Sequence, residues 1–488
     1  MDDVSGSDGH DLGGDAGTLT TTAAPQVPPV GARSWWLDQA LADDPGRPCS
    51  PLTGALEADV CIVGGGFAGL WTAYELSERE PALRVVLLEA TVCGAGGSGS
   101  NGGFFSSSWA SVGELCRRFG DEAGLRWATA LGDQVAELGR WCERHHADVE
   151  FHHDGIVYAQ AGAWQSGPDG EALALLESRG LGERLRALDA AEARRVADSP
   201  RLTGGLFTPD LATVQPARLA RELRRVVLER GVSICEGSRV LALRPGRPAT
   251  VETAGGAVRA DQVVLAHGAW AADRPEFARA FAVGVDYMVV TEPIPERLAQ
   301  IGWTSHAGLA DRRQMLFYLR RTADDRIAIG GGGMAMVYGA GIAGRVLASQ
   351  RLARLAAHGL LWLFPQLEGV RFEQAWSGPM DMTRSGLPFF WTLPGGNVHA
   401  GLGFSGHGLT STKVGGRILA SLALGTDDEW TALPVVGPPD SLPPEPLRWP
   451  MVRTAEWAYE ASDRAAERGR RRPLVPGAVI ALMERYAG

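Results

Sequence analysis

The stretch Asp59-Val-Cys-Ile-Val-Gly-Gly-Gly-Phe-Ala-Gly-Leu-Trp-Thr-Ala-Tyr74 constrains this chain more than any other. It places Gly64-x-Gly66-x-x-Gly69 after a β-branched run, Val60 to Val63, and ahead of an apolar, helix-like segment, Leu70 to Leu76. A second β-like run, Leu83 to Leu88, ends in Glu89. Strand, glycine turn, helix, strand and acid in that order make the first βαβ unit of a dinucleotide-binding domain. Gly64 permits the tight turn, Gly66 lets backbone N–H groups approach a pyrophosphate, and Gly69 lets helix and strand pack closely. Gly65, Phe67 and Ala68 complete the turn, and the phosphates sit where unpaired N–H groups and the helix dipole favour anions. Glu89, with Ala90 behind it, is placed to accept hydrogen bonds from ribose hydroxyls. A carboxylate there disfavours a 2′-phosphate, so FAD or NAD fits better than NADP. The simpler alternative is a glycine turn inside an ordinary α/β sheet.

With 488 residues the chain is too long for one simple core, so two or more units are expected. Its net charge of −10 makes nucleic acid an unnatural partner. Six cysteines are scattered without CxxC or zinc-like spacing, which predicts reduced thiols, no metal site and a cytoplasmic location. No apolar run reaches the ~20 residues that span a bilayer, and the N-terminus lacks a signal-peptide pattern. Residues 1–33 are expected to form a disordered acidic tail.

Past Glu89 comes Cys93-Gly-Ala-Gly-Gly-Ser-Gly-Ser-Asn-Gly-Gly103, too rich in glycine for a helix or strand interior and suited to close approach of a flat or anionic ligand. Residues 121–146 have helical spacing, with Leu131, Val135, Leu138 and Cys142 on one face. Gln215-Pro216 starts another helix, and Val232–Cys235 and Gln262–Gly268 read as strands. The dinucleotide domain is therefore discontinuous. Val283–Thr291, Met315–Arg320 and Arg326–Ile329 read as strands of a separate antiparallel sheet, the last two joined as a hairpin by Ala323-Asp-Asp325. Residues 345–363 look helical. Gly415-Gly416, in a helix after a second glycine cluster, makes sense if another backbone or a cofactor packs close. The basic segment Arg468 to Arg472 reads as a solvated helix end or tail.

These motifs resemble those of FAD-dependent oxidoreductases of the D-amino-acid oxidase superfamily, which includes glycine oxidase, monomeric sarcosine oxidase and gamma-glutamylputrescine oxidoreductase. The resemblance rests on the Gly64–Gly69 motif with Glu89, the Gly94–Gly103 loop, Val264-Leu-Ala-His-Gly-Ala-Trp270 and Gly403-Phe-Ser-Gly-His-Gly408, in family order. Ser34-Trp-Trp-Leu37, Thr291-Glu-Pro293, Arg321–Arg326, Trp376-Ser-Gly-Pro379, Thr383–Pro388 and Pro443–Arg448 look like the branch described as aminophosphonate oxidoreductases.

The resemblance implies an α/β fold: a discontinuous, Rossmann-like FAD-binding domain of glutathione-reductase type, with an antiparallel-sheet (α+β) substrate domain. The expected FAD-binding parts are residues 34–146, 206–275 and 371–430, the substrate parts 147–205 and 276–370, and residues 431–488 a C-terminal extension. It implies oxidation of an amine at the C–H next to nitrogen, by hydride transfer to flavin N5. Hydrolysis of the imine to an aldehyde or oxo acid follows, then reoxidation by O2 to hydrogen peroxide. The alternatives are a dehydrogenase that reduces a quinone or protein acceptor, an NAD(P)H-dependent monooxygenase and a noncatalytic flavin-binding subunit.

Beyond the turn, FAD contacts are implied for Gly97, Ser98, Asn101, Gly102, Gly103, Val240 and Gly268. They are also implied for Gly403, Phe404, Ser405, Gly406, His407, Gly408 and Leu409, which would wrap the flavin. Sarcosine oxidases carry a lysine where this chain has Thr410, and Ser100 replaces a family arginine; Lys413 is not an equivalent position. No cysteine lies between Ser377 and Gly408, so FAD is expected to be noncovalent. A phosphonate substrate would need arginine forks or backbone N–H groups. Arg320, Arg321 and Arg384 are candidates, with Arg320 on the strand face of Tyr318 and Arg321 on the other. Tyr318, Arg320, Arg384 and His407 are the candidate catalytic residues; Tyr287 and His153 are further pocket candidates. For each, core packing or a surface ion pair is the competing reading.

Overall fold

In the computed structural model, residues 25–161, 169–468 and 470–487 are described. Five parallel strands lie in the order Val398–Leu402, Gly256–Leu265, Gly54–Val63, Val85–Leu88 and Ser233–Cys235. Their runs of Val, Ile and Leu suit a sheet buried on both faces. Alternate residues divide between two cores. Val60 and Ile62 pack under the helices, while Cys61 and Val63 join the core on the other face. Each such fully buried aliphatic side chain stabilises the fold by roughly 1.5–3 kcal/mol.

The helix Phe67–Arg79 follows the glycine turn and packs against Gly408–Leu424 and Pro216–Glu229. The glycine pair in Gly408–Leu424 serves packing. A Cβ on Gly416 would lie 2.7 Å from the Trp71 carbonyl carbon, and one on Gly415 would lie 2.6 Å from the Phe390 ring. Lys413, on the same helix, is buried among Gln134, Glu137 and the Trp71 ring.

Among the described residues the second sheet has nine strands. Toward one edge lies the long strand Phe281–Thr291, which pairs antiparallel with Phe372–Thr383 and with Ile327–Gly331. The expected hairpin is present: Phe317–Arg321 pairs with Ile327–Gly331, Leu319 opposite Ile329, through a turn in which Asp325 has φ 62°. Ile156–Gln160, Gly204–Thr208 and Arg186–Leu188 extend the sheet.

Several expectations change. Residues 372–383, expected in the FAD-binding domain, lie in the second sheet because their whole length pairs with Phe281–Thr291. The expected tail is ordered at its end: Gly31 N donates to the Ala375 carbonyl, and Gln350 donates to the carbonyls of Val27 and Pro28. Residues 1–24 of that tail lie outside the described residues. The helix expected from 345 begins at Gln350, after a 3-10 turn. Arg470 to Arg472 lie between two helices, Arg448–Glu467 and Leu474–Ala487. No helix among the described residues is long and apolar enough to cross a membrane.

Candidate active site

A cavity of about 1530 Å³ lies against both sheets and runs from the glycine turn to the C-terminal helices. Small-ligand pockets occupy ~300–1,000 Å³, so this one has room for a dinucleotide and a second molecule.

At the nucleotide end the wall is largely backbone. Gly64 has φ 111°, and a Cβ there would lie 2.5 Å from the Ala266 carbonyl oxygen. Gly69 faces inward: its Cβ would lie 2.0 Å from the Gly64 carbonyl oxygen. Helix Phe67–Arg79 begins at Gly66 without a cap from that residue; Phe67 N donates instead to Ser98 Oγ at 2.8 Å. Glu89 accepts from Gly65 N at 2.8 Å and from Thr91 N at 2.9 Å. Burial raises its pKa, and those two N–H groups oppose the rise. Asn101 fixes the next loop, donating to the carbonyls of Gly97 and Ser98 and accepting from Gly103 N.

A second loop, 403–408, enters helix Gly408–Leu424. It is held from the strand Phe372–Thr383. The buried Asp381 carboxylate accepts from Gly403 N at 2.6 Å and Phe404 N at 3.2 Å, and Ser405 N donates to the Asp381 carbonyl. Burial raises the Asp381 pKa to about 6, against the pull of those amides. Ser405 adopts φ 52°. His407 lines the cavity, and desolvation lowers its pKa.

At the other end, Tyr318 and Asp286 meet on adjoining regions of the second sheet. Tyr318 Oη donates to Asp286 Oδ2 at 2.6 Å, and Asp286 Oδ1 accepts from Tyr287 N at 2.8 Å. Desolvation raises the Asp286 pKa to about 6, partly offset by these donors. The Tyr318 ring stands edge-on to Phe104, and a Cβ on Gly102 would lie 2.8 Å from it, so the Gly94–Gly103 loop reaches this pair.

The structure gathers most of the expected residues on one cavity wall. Gly64, Gly66, Phe67, Ala68, Glu89, Ala90, Gly97, Ser98, Asn101 and Gly102 line it at the nucleotide turn and loop. Val240, Gly268, the segment from Phe404 to Leu409, Tyr318 and Arg384 line it elsewhere. Gly65, Gly69, Gly103 and Gly403 do not; they shape the turns behind it.

The arginines depart from expectation. Arg320 shares the strand face of Tyr318, but its guanidinium is fully buried over Trp36 and donates to the Val214 carbonyl. It does not line the cavity. Arg321 faces away as expected and binds Asp325 and the Thr304 carbonyl. Arg384 lines the cavity but lies over the Tyr486 ring, 4.2 Å from its centre, and donates to the Tyr486 carbonyl. Tyr287 is packed in the core, donating to the Val346 carbonyl, and His153 is exposed outside the cavity.

Asp286 and Asp381 are functional candidates missed by motif. Asp286 is the one acid of an otherwise apolar strand and Asp381 sits between two methionines, and that cost of burial was the available signal.

The donor set fits a dinucleotide. A helix N-terminus and a glycine turn supply N–H groups for a pyrophosphate, an acid stands at the second strand tip, and side chains at Gly64 or Gly66 would collide with neighbouring atoms. No cysteine among the described residues lines the cavity, in keeping with a noncovalent cofactor.

Comparison with known proteins agrees. The sequence model of the family "FAD dependent oxidoreductase" (DAO) matches residues 59–422. Gamma-glutamylputrescine oxidoreductase of Escherichia coli (strain K12) is 32% identical over 397 residues, covering 79% of this chain and 88% of that protein. Among solved structures, glycine oxidase from Geobacillus kaustophilus superposes with a TM-score of 0.61 at 22% identity, covering 78% of this chain and 98% of its own. L-proline dehydrogenase from P. horikoshii superposes with a TM-score of 0.64 at 20% identity, covering 79% and 96%. The chain belongs to the DAO family of FAD-dependent oxidoreductases, acting on the CH–NH group of amines or amino acids with FAD as cofactor.

Proposed function

We propose that this protein is a cytoplasmic amine oxidase that oxidises a small-molecule amine at the C–H next to nitrogen and returns its electrons to O2 as hydrogen peroxide. The observation that carries this reading is the Asp286–Tyr318 pair, which faces the same cavity as the dinucleotide turn. When bound, FAD supplies the hydride acceptor.

The chain's own residues do the rest. The N-terminus of helix Phe67–Arg79 and Ser98 would hold the pyrophosphate, and Glu89 the ribose. Asp381 fixes the 403–408 loop, and the start of helix Gly408–Leu424 would offer a positive dipole end to negative charge on a bound flavin. Asp286 is ionised above about pH 6 and holds the substrate nitrogen through its carboxylate oxygens. Tyr318 Oη orients that carboxylate. An aminophosphonate held by arginine would need a fork of free guanidinium groups. Arg320 lies behind the wall and Arg384 is engaged by Tyr486, so the arrangement favours an amine without a phosphonate, such as an N-alkyl amine.

Anaerobic mixing of the yellow protein with amines, followed by admission of air, tests this reading. Bleaching by an amine and peroxide on reoxidation are expected. Bleaching without peroxide, with turnover in the presence of a quinone or dye, would make it a dehydrogenase. Bleaching by NADPH alone would make it a monooxygenase.

A further inference from the structure

The chain has nine methionines, and every one after Met1 lines the cavity. Met288, Met315, Met334 and Met336 come from the second sheet and its turns. Met380 and Met382 flank Asp381 on the strand that holds the 403–408 loop. Met451 and Met483 come from the C-terminal helices. None comes from the parallel sheet or from the helix that follows its glycine turn. The thioethers crowd together: a Cβ on Gly284 would lie 2.8 Å from Met382 Sδ and 3.2 Å from Met334 Sδ.

The far wall of this chamber is built by the pair Arg448–Glu467 and Leu474–Ala487, which lies beyond residue 422, where the family match stops. Met451, Tyr459, Met483 and Tyr486 line the cavity from this pair, beside Val452, Ala455 and Glu456. The pair is fastened to the second sheet and its neighbours. Asp463 accepts from Gln314 N at 3.1 Å and Met315 N at 2.9 Å, Arg448 donates to the carbonyls of Ala278 and Phe281, and Glu467 pairs with Arg313.

Among the described residues, four arginines line the cavity, and three of them are engaged by other side chains. Arg239 immediately precedes the strand Val240–Arg244 of the first sheet, Arg274 pairs with Glu276, Arg33 pairs with Asp38, and Arg384 is held by Tyr486. The acids Asp286 and Glu456 line the wall. Methionine is unbranched and polarisable, so a wall of methionines reshapes around apolar ligands of different outline.

We propose that the substrate is an amine bearing a large, flexible apolar group, which the methionine chamber and the C-terminal helix pair enclose. This rests on the amine-oxidising reading above and names the substrate class for that site.

The test compares anaerobic flavin reduction of the full-length holoprotein by butylamine, octylamine, their N-methyl forms, glycine, sarcosine and 2-aminoethylphosphonate. The octyl amines should exceed the butyl amines in reduction rate at low concentration by on the order of 100-fold, the effect of four buried methylenes. Equal rates for butyl and octyl amines, or faster reduction by glycine, sarcosine or the phosphonate, would overturn the proposal. A parallel binding measurement uses 2,4,4-trimethylpentan-2-amine and tert-butylamine, neither of which has a C–H next to nitrogen. The larger should perturb the flavin spectrum with a Kd lower by a similar order; equal Kd values overturn the chamber. If no amine bleaches the flavin, amine oxidation fails as a reading, and this binding pair still decides whether the chamber selects apolar groups. Met336→Gln and Met483→Gln, checked for retained flavin and unchanged melting temperature, should each cut the octyl-to-butyl ratio about tenfold. Unchanged ratios in both overturn the role of the methionines.

Discussion

The two ends of the cavity are built from different material. At the nucleotide end the contact surface is main chain, and glycines sit where a single added carbon would fall 2.0–2.8 Å from a neighbouring atom, as at Gly64, Gly66 and Gly69. At the other end the surface is side chain: thioethers, Tyr318 and the aromatic residues of a helix pair outside the family match. A main-chain wall fits one ligand and cannot yield, because backbone positions are fixed by the strands and helices that carry them. A methionine wall yields readily. The difference teaches which half holds the constant cofactor and which half is free to specialise.

If that contrast is right, the most damaging change is a small one at the rigid end. Gly69→Ala drives a Cβ toward the Gly64 carbonyl, with no flexible side chain to give way. A destabilisation of about 3 kcal/mol and colourless protein are expected, read from chemical denaturation and the ratio of absorbance near 450 nm to that near 280 nm. A yellow variant of normal stability would show that the turn is softer than its geometry.

Asp381→Ala comes next, because it strips the partner from two buried amides, those of Gly403 and Phe404. About 2 kcal/mol of stability should be lost, in the range for unpaired buried donors, along with weaker flavin retention. Loss of stability with flavin affinity intact would separate the 403–408 loop from the cofactor.

Asp286→Asn addresses the adaptable end. Its folded pKa of about 6 lies above its usual value near 3.8, so below pH 6 the group is protonated and loses its hold on a cationic nitrogen. For amine reduction of the flavin, kcat/KM should therefore fall as pH drops through about 6. In the asparagine variant that acid limb should vanish, with a loss of about tenfold at pH 7.5, the scale of one bond to a charged group. The stability sign is opposite: the folded state holds this proton more tightly, so its contribution to stability falls as pH rises from about 4 to about 6. An acid limb that survives in Asp286→Asn would move the titrating role elsewhere in the cavity, His407 being the next group to replace.

How much was legible follows the same divide. Gly64, Gly66, Gly69 and Glu89 announce themselves because a turn against a phosphate leaves few sequence options, and the spacing is local. The hairpin around Asp325 was readable for the same reason. Arg320 was misplaced because strand alternation gives a direction and not a depth: the side chain does leave on the face of Tyr318, then turns under Trp36. The methionines lie scattered from 288 to 483 and carry no local pattern; only the pairing of Phe281–Thr291 with Phe372–Thr383 and the docking of the terminal helices bring them together. The strand Phe372–Thr383 was misassigned because Trp376 and Asp381 serve both halves at once, Trp376 donating to the Ser100 carbonyl of the cofactor loop and Asp381 holding the 403–408 loop.

The smallest effect expected is that of Ser98→Ala. Ser98 Oγ accepts from Phe67 N at 2.8 Å, at the start of the helix where the pyrophosphate belongs. If the hydroxyl also donates to a phosphate oxygen, its removal loses one hydrogen bond of about 1 kcal/mol, and the FAD Kd should rise about fivefold. Unlike Gly69→Ala, the variant adds no atom, so the fold and the reduction rate of saturated enzyme should stay unchanged. Titration of apoprotein with FAD, followed by quenching of flavin fluorescence, reads the difference. A Kd raised a hundredfold would mean that the hydroxyl orders the whole Gly94–Gly103 loop, and that even the rigid end depends on a side chain. An unaltered Kd would mean that main-chain N–H groups alone hold the pyrophosphate, which draws the contrast between the two ends more sharply.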